Sequence, residues 1–275
     1  MEHDQHLDST LQTAISIAHE AGALVRKAFP KTALQQVGFK GAVNPVTETD
    51  LAAEALITGR LREAFPEHRI LAEEGGGDDW RTAGPPIWLV DPLDGTNNFA
   101  HGYPCVSVSL GMVVDGQVLA GVVYDPLRDE TFAARAGGGA TLNGAPIHVT
   151  AVEQLAQAFL ATGFPYDRRT AADNNTQRLD HFLRRSQGVR RGGSAALDLS
   201  YVACGRLDGF WELRLSPWDM AAGILLVREA GGRANDAKGQ PDCLGSPMLV
   251  ASNDYIHEQM LRVIQEGANA PRPEG

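Results

Sequence analysis

The sequence has little cysteine, no long apolar run and no excess of positive charge, and each shortage excludes a class of protein. Its three cysteines, Cys105, Cys204 and Cys243, stand far apart with no C-x-x-C pair. Such a scattered, odd set argues against a disulfide framework or a thiolate metal cage and is expected of reduced thiols in a cytoplasm. No apolar stretch approaches the ~20 residues that cross a bilayer, so no membrane association is expected. The opening Met-Glu-His-Asp-Gln-His lacks the basic and apolar regions of a signal peptide, and His3 and His6 read as part of a frayed polar terminus. A net charge of −10 disfavours nucleic acid as a partner. The pairs Arg168-Arg169, Arg184-Arg185 and Arg190-Arg191 read as solvated helix ends and loops, not as a basic stripe. Repeats and low-complexity tracts are absent too. What is left, 43% hydrophobic and 21% charged over 275 residues, is an ordinary globular composition with room for one large or two smaller domains.

The chain is organised around Trp88-Leu89-Val90-Asp91-Pro92-Leu93-Asp94-Gly95-Thr96-Asn97-Asn98-Phe99. Residues 87–90 read as a short buried strand ending on Asp91, and ligands of open α/β sheets gather beyond the carboxyl ends of strands. Pro92 restricts the exit direction, and Asp94-Gly95 makes a sharp turn in which glycine is free to take a positive φ. Thr96 supplies a hydroxyl able to cap a helix or hold a water. Two carboxylates three residues apart on a stiff turn can face one cation.

Upstream, apolar spacing predicts a helix over about 8–29, stopped by Pro30, then an extended or hairpin-like segment over 34–46. Thr47-Glu48-Thr49-Asp50 opens a second helix to about Phe65, with Asp50 in the first turn, where the helix dipole favours an anion in any case. A strand over 68–72 delivers Glu73-Glu74 to a glycine-rich stretch, 75–84, expected to be a flexible flap. Downstream, 106–114, 118–124 and 131–136 read as antiparallel strands. The half 1–150 thus reads as two helices on a largely antiparallel sheet. The half 151–275 alternates: strands over 158–162, 189–191, 210–213, 233–235 and 248–251, helices near 172–186, 194–204, 218–230 and 254–266, and a disordered tail from 267. Asp219 opens the third of these helices, where an acid also serves as a cap.

Residues 88–99 resemble the first signature of the inositol monophosphatase family, magnesium-dependent and lithium-sensitive phosphatases. The Asp-x-Asp-Gly-Thr motif of haloacid-dehalogenase phosphatases fits less well, since position 93 is Leu where that chemistry needs a second carboxylate. Residues 218–232 resemble the family's second signature, about 120 residues on and in the expected order. Residues 40–50 are similar to its segment placing a Lys and an Asp beside the metals, and the likeness covers 8–266.

The resemblance implies a layered αβαβα sugar-phosphatase fold, part α/β and part α+β, with the site between the two halves, and a homodimer. It implies two to three Mg²⁺ per site: one on Glu73, Asp91 and the Leu93 carbonyl, one on Asp91, Asp94 and Asp219, and a weaker one on Glu73 with waters. Li⁺ would inhibit by taking a metal position. Asp50 and Thr96, with Glu73 assisting, are the implied catalytic groups that orient or deprotonate a water for in-line attack on phosphorus. Asp94, Gly95, Thr96, Gly193, Ser194, Ala195, Glu212 and Asp219 are the implied substrate contacts, while Lys40 and Glu74 stand beside the metals. The partner is a small phosphate ester. Asn97-Asn98-Phe99, where nucleotide 3′-phosphatases carry Lys-Glu-Phe, together with Glu212 points to myo-inositol monophosphate. Fructose-1,6-bisphosphatase, histidinol-phosphatase and nucleotide 3′-phosphatase activities stay open, the first because Arg190 or Arg191 could neutralise a second phosphate. A reading of another class is a protein-binding role with secondary catalysis.

Overall fold

A computed structural model describes residues 2–29, 38–39 and 45–269, with side chains for 4–29 and 47–267. Helix α1, Glu2–Ala28, buries Leu7, Ala14, Ile17, Ala18, Ala21 and Val25 along one stripe. It reaches back to Glu2, so His3 and His6 belong to a helix and not to a frayed end. Strand β1, Gly38–Phe39, pairs antiparallel with β2, Pro45–Val46, the hairpin-like segment expected there. Helix α2, Glu48–Ala64, starts in a capping box between Thr47 and Asp50.

The first sheet is built from β3 (Arg69–Ala72), β4 (Gly76–Gly77), β5 (Ile87–Asp94), β6 (Ser107–Val114), β7 (Gln117–Asp125), β8 (Glu130–Arg135), β9 (Gly139–Leu142) and β10 (Ala145–Pro146). Its spatial order is β10-β9-β8-β7-β6-β5-β3-β4, antiparallel throughout except for the β3–β5 pair. Two features depart from the sequence reading. The strand carrying the central motif does not stop at Asp91 but runs through Asp94, with an irregular register between those two residues. The glycine-rich stretch after Glu74 also begins as a strand, since Gly76–Gly77 pairs with β3. Strands β9 and β10 follow the predicted strands and are too short, at four and two residues, for alternation to mark them. The short helix α3, Thr96–His101, follows β5.

The second sheet has the order β12-β11-β13-β15-β14. Its strands are β11 (Phe159–Thr162), β12 (Gly188–Arg190), β13 (Gly209–Leu213), β14 (Arg233–Asp236) and β15 (Met248–Ser252). The helices between them are α4 (Thr176–Leu183), α5 (Ala195–Ala203), α6 (Pro217–Glu229) and α7 (Asp254–Asn269). Helix α4 is shorter than the predicted 172–186. Helix α7 extends through positions assigned to the tail, and the tail beyond 269 lies outside the described residues.

Five layers result. Helices α1 and α2 cover one face of the first sheet, α5 and α6 lie between the sheets, and α4 and α7 cover the outer face of the second. Alternation along β5 shows why: Trp88 and Val90 join the α1/α2 core, while Ile87 and Leu89 face Ala221 of α6. The paired residues Gly111 and Gly121 leave a flat spot on the sheet, and a Cβ on Gly121 would lie 2.9 Å from the Ala222 Cα. That absence lets α6 sit close and sets where its first turn falls. On the far side Trp211 stacks on Phe182 with ring centroids 3.9 Å apart, a burial worth roughly 1.5–3 kcal/mol per large side chain.

Candidate active site

The end of β5, the first turn of α5 and the first turn of α6 meet at one cavity of about 320 Å³. Asp91 is 2% exposed and accepts the Leu93 N–H at 3.0 Å, which bends the strand around the intervening proline. Gly95 takes φ 95° and starts α3, so the chain reverses immediately after Asp94. Asn98, one turn into α3, donates to the carbonyls of Cys105 at 2.8 Å and Gly192 at 3.0 Å. This amide therefore clasps the α3 turn to the segment leading into α5. Asp94 completes the same junction: its carboxylate accepts from Ser194 Oγ at 2.6 Å and the Ala196 N–H at 2.8 Å. The N-terminus of α5, expected to face substrate oxygens, thus also holds Asp94.

Asp219 sits in the first turn of α6 and accepts the Ser216 N–H at 2.7 Å, so it caps the helix while lining the cavity. Asp50 stands behind the cavity wall. One of its oxygens accepts from Thr96 Oγ at 3.0 Å, and the other from the Thr47 N–H at 2.8 Å and from the Thr47 hydroxyl. Thr96 lines the cavity, and its hydroxyl also lies 3.1 Å from the Leu93 carbonyl. Glu212, from β13, lies against the Cα of Gly163 on the opposite wall.

Charge dominates the electrostatics. Among the described residues five carboxylates, Glu73, Asp91, Asp94, Glu212 and Asp219, share the cavity with one guanidinium, Arg191. Burial first, then repulsion from Glu73, Asp94 and Asp219, holds the Asp91 carboxyl well above the usual range. Burial and the charges of Asp94 and Glu73 do the same to Asp219. Asp94 is raised by burial against the opposing hydrogen bonds from Ser194 and the α5 amides. Glu212 is pushed up to about 8 by burial and by Asp198, with Arg191 acting the other way. Burial raises Asp50 as well, in spite of its donors Thr47 and Thr96.

Such a site fits a hard divalent cation. Among the described residues its wall carries carboxylates and no Cys or His, and crowded carboxylates need a cation or protons to coexist. Among the described residues no group of three or more His, Cys, Asp or Glu is already gathered into a metal cage.

Of the residues singled out from sequence, Glu73, Asp91, Leu93, Asp94, Gly95, Thr96, Gly193, Ala195, Glu212 and Asp219 line the cavity, and Asp50 and Ser194 are bonded directly to members of it. Arg191 reaches the wall, but Arg190 does not: its guanidinium lies over the Phe159 ring, 4.4 Å from the centroid. The Glu74 side chain is not on the wall either; its backbone N–H is bonded to Glu54. Lys40 lies outside the described residues. Sequence reasoning missed Tyr166, Phe164 and Trp218 of the lining, and Asn98 as a clasp. Tyr166 is 51% exposed, yet its hydroxyl is raised by burial and by the charges of Glu73, Asp219, Asp94 and Asp91. No local pattern marks it.

Residues 6–269 match the profile of the inositol monophosphatase family. An inositol-1-monophosphatase of Synechocystis sp. is 45% identical over 93% of this chain and 90% of its own length. The Nus factor SuhB of Pseudomonas aeruginosa is 42% identical over 93% of this chain and 95% of its own. Among solved structures, the inositol monophosphatase from Anabaena (Nostoc) superposes with a TM-score of 0.86 at 41% identity, over 95% of this chain and 97% of that one.

Proposed function

The chain belongs to the inositol monophosphatase family, and from that premise we propose that it is a Mg²⁺-dependent phosphomonoesterase converting myo-inositol monophosphate to inositol and phosphate. The observation that carries this reading is the cavity in which, among the described residues, five carboxylates stand beside one arginine. A phosphate dianion is repelled from that wall unless cations compensate, and the oxygen donors suit Mg²⁺. Glu73, Asp91, Asp94, Asp219 and the Leu93 carbonyl would hold the metal, two to three ions in all, with Li⁺ competing. When bound, Mg²⁺ neutralises phosphoryl oxygens and acidifies water.

The chain's own residues position and move protons. Thr96 donates its hydroxyl hydrogen to Asp50, which leaves its lone pairs to hold a water in the cavity it lines. Asp50, raised by burial, is suited to take a proton relayed through Thr96. Asp94, anchored on Ser194 and the α5 amides, stays fixed as the ester enters. Gly193, Ala195 and Glu212 offer backbone and carboxylate partners to the hydroxyls of a polyol. The metal carboxylates come mainly from the half 1–150, and Asp219 and the polyol contacts from the half 151–275. Arg191 faces both Asp198 and Glu212, so its charge is already opposed, and a second phosphate finds little compensation. That favours a monophosphate of a neutral polyol over fructose 1,6-bisphosphate. A cytoplasmic homodimer completes the reading.

A second reading is favoured by the Pseudomonas relative called a Nus factor: a protein-binding role with catalysis secondary. Phosphate release with Mg²⁺, with and without Li⁺, from inositol 1-phosphate, fructose 1,6-bisphosphate, histidinol phosphate and 3′-phosphoadenosine 5′-phosphate tests both. Preference for the inositol ester, lost in Glu212→Ala while Mg²⁺ binding persists, supports the first. Release from none of the four removes it and leaves the binding role.

A further inference from the structure

Helix α2 carries a second buried carboxylate that neither the helix cap nor the proposed chemistry uses. Glu54 follows Asp50 by one turn and is 8% exposed. Its carboxylate is turned to the chain leaving β3: one oxygen accepts the Glu74 N–H at 2.7 Å, the other the Gly75 N–H at 2.7 Å. These are the two amides that directly follow Glu73. The N–H of Glu73 itself donates to the Val90 carbonyl of β5 at 3.1 Å. The backbone is therefore pinned on both sides of Glu73, by β5 before it and by α2 after it.

A separate observation points the same way. Gly75 is not among the residues with positive φ, so the turn itself does not demand glycine there. A Cβ at this position, however, would lie 2.8 Å from a Glu54 carboxylate oxygen. The missing side chain makes room for the clamp. Without it, the run Gly75-Gly76-Gly77 would leave Glu73 at the edge of a permissive segment.

We propose that Glu54 is a positioning residue that presents Glu73 to Mg²⁺, an inference resting on the reading of Glu73 as a metal ligand. Asp50 and Glu54 occupy positions i and i+4 of one helix, where like charges repel. Burying both is tolerable because each is hydrogen-bonded in full view of a different loop. One holds the Thr96 hydroxyl and the other holds the turn bearing Glu73. A single rigid helix thereby sets the separation between the water-orienting group and the ligand.

The test is a calorimetric titration of Mg²⁺ alone into the metal-free full chain, comparing wild type, Glu54→Gln, Gly75→Ala and the double variant. Gln keeps the size and one acceptor but sets an NH₂ against an amide N–H. Ala at 75 displaces only the flexible tip of Glu54, so that variant is expected to fold. Each single change should weaken Mg²⁺ binding about tenfold, the usual scale for losing a partner that orients a metal ligand. The Mg²⁺ needed for half-maximal phosphate release should rise in step, while kcat at saturating Mg²⁺ and the KM for ester stay within about threefold. The double variant should be no worse than the weaker-binding single, because both remove one clamp. Ala53→Gly, a buried neighbour on the same helix, should lower the Tm and leave Mg²⁺ affinity unchanged. A folded Glu54→Gln that binds Mg²⁺ within about twofold of wild type, an additive double variant, or an equal loss in Ala53→Gly would each overturn the proposal. If wild type binds no Mg²⁺, the ligand reading of Glu73 falls first and takes the proposal with it.

Discussion

At the start of α2 the Asp50 carboxylate accepts the Thr47 N–H at 2.8 Å; at the start of α6 the Asp219 carboxylate accepts the Ser216 N–H at 2.7 Å. Both acids stand in the first turn of their helix, and burial raises both carboxyls. From there the two regions diverge. Asp50 is fully buried and spends its second oxygen on Thr96, so it backs the cavity without entering it. Asp219 lines the cavity, and the next causes of its shift are the charges of Asp94 and Glu73. The comparison teaches that capping and chemistry are not alternatives for an aspartate. A carboxylate has lone pairs for both, and what decides its further role is the element packed opposite it. For Asp50 that is α3; for Asp219 it is the end of β5.

The largest effect expected from this contrast is in the pair Asp219→Asn and Asp50→Asn. Asn keeps an acceptor for the capping N–H at both positions, so neither variant should lose its helix start. Asp219→Asn should lower phosphate release by at least about 10³-fold, roughly 4 kcal/mol of lost transition-state stabilisation. It should also remove the share of Mg²⁺ stabilisation that comes from the position Asp219 holds, which for a native-state ligand at 100 times its Kd is about 2.7 kcal/mol. Asp50→Asn should lower kcat by about 10- to 100-fold, a general acid–base effect, and keep the Mg²⁺-linked rise in Tm. Phosphate release and calorimetric melting with and without Mg²⁺ check both. Equal loss of Mg²⁺-linked stability in the two variants would erase the distinction between them.

How far this contrast could be read beforehand depends on distance along the chain. The strands and helices of the second half were visible because they alternate along the chain, whereas the layered order came with the resemblance of the two signatures. Asp91, Asp94 and Asp219 were legible because two signatures carry them, and Glu73 because a short apolar strand delivers it; the structure brings all four to one cavity. The end of β5 was misread since Asp-Pro is a strand exit by local rules, yet pairing of Asp94 with Ser107 on β6 carries the strand onward. Glu54 and Asn98 bond to backbone groups of other elements, Tyr166 reaches the cavity wall from the other half, and nothing in their neighbours' spacing marks such placements. Gly75 was visible as a glycine, but its reason, a carboxylate from another helix, was not.

A third helix start, far from the cavity, sharpens the comparison at the next level of effect. In α7 the cap is Asn253, which accepts the Ile256 N–H at 3.0 Å, and the buried ionisable group is His257. Burial, then Arg233, lowers it to about 4, with Glu258 and Asp254 opposing. The imidazole is therefore neutral when folded and takes up a proton on unfolding below its ordinary value near 6.5. Its contribution is complete above about pH 6.5 and is lost as the pH falls towards 4, roughly 2–3 kcal/mol over that window. Denaturant unfolding of wild type and His257→Asn at pH 7, 5.5 and 4.5 should show the variant lacking this part of the acid slope, with phosphate release at pH 7 unchanged. A parallel acid slope in both proteins would refute the assignment.

The smallest effects lie in the capping residues themselves, Thr47→Ala and Ser216→Ala. At α6 the bond that matters runs from the Ser216 backbone to Asp219, and alanine retains that N–H. Ser216→Ala should therefore cost no more than about 0.5 kcal/mol, the low end for a lost cap. At α2 the Thr47 hydroxyl also donates to Asp50. Removing it leaves a fully buried carboxylate short of a donor, so Thr47→Ala should cost about 1–2 kcal/mol. The same loss leaves Thr96 as the remaining side-chain donor to Asp50, and kcat should fall a few-fold in Thr47→Ala while Ser216→Ala stays near wild type. Urea unfolding and phosphate release on the two variants would read the difference. Equal costs would mean that the two helix starts are energetically alike, and that only the element opposite each aspartate separates them.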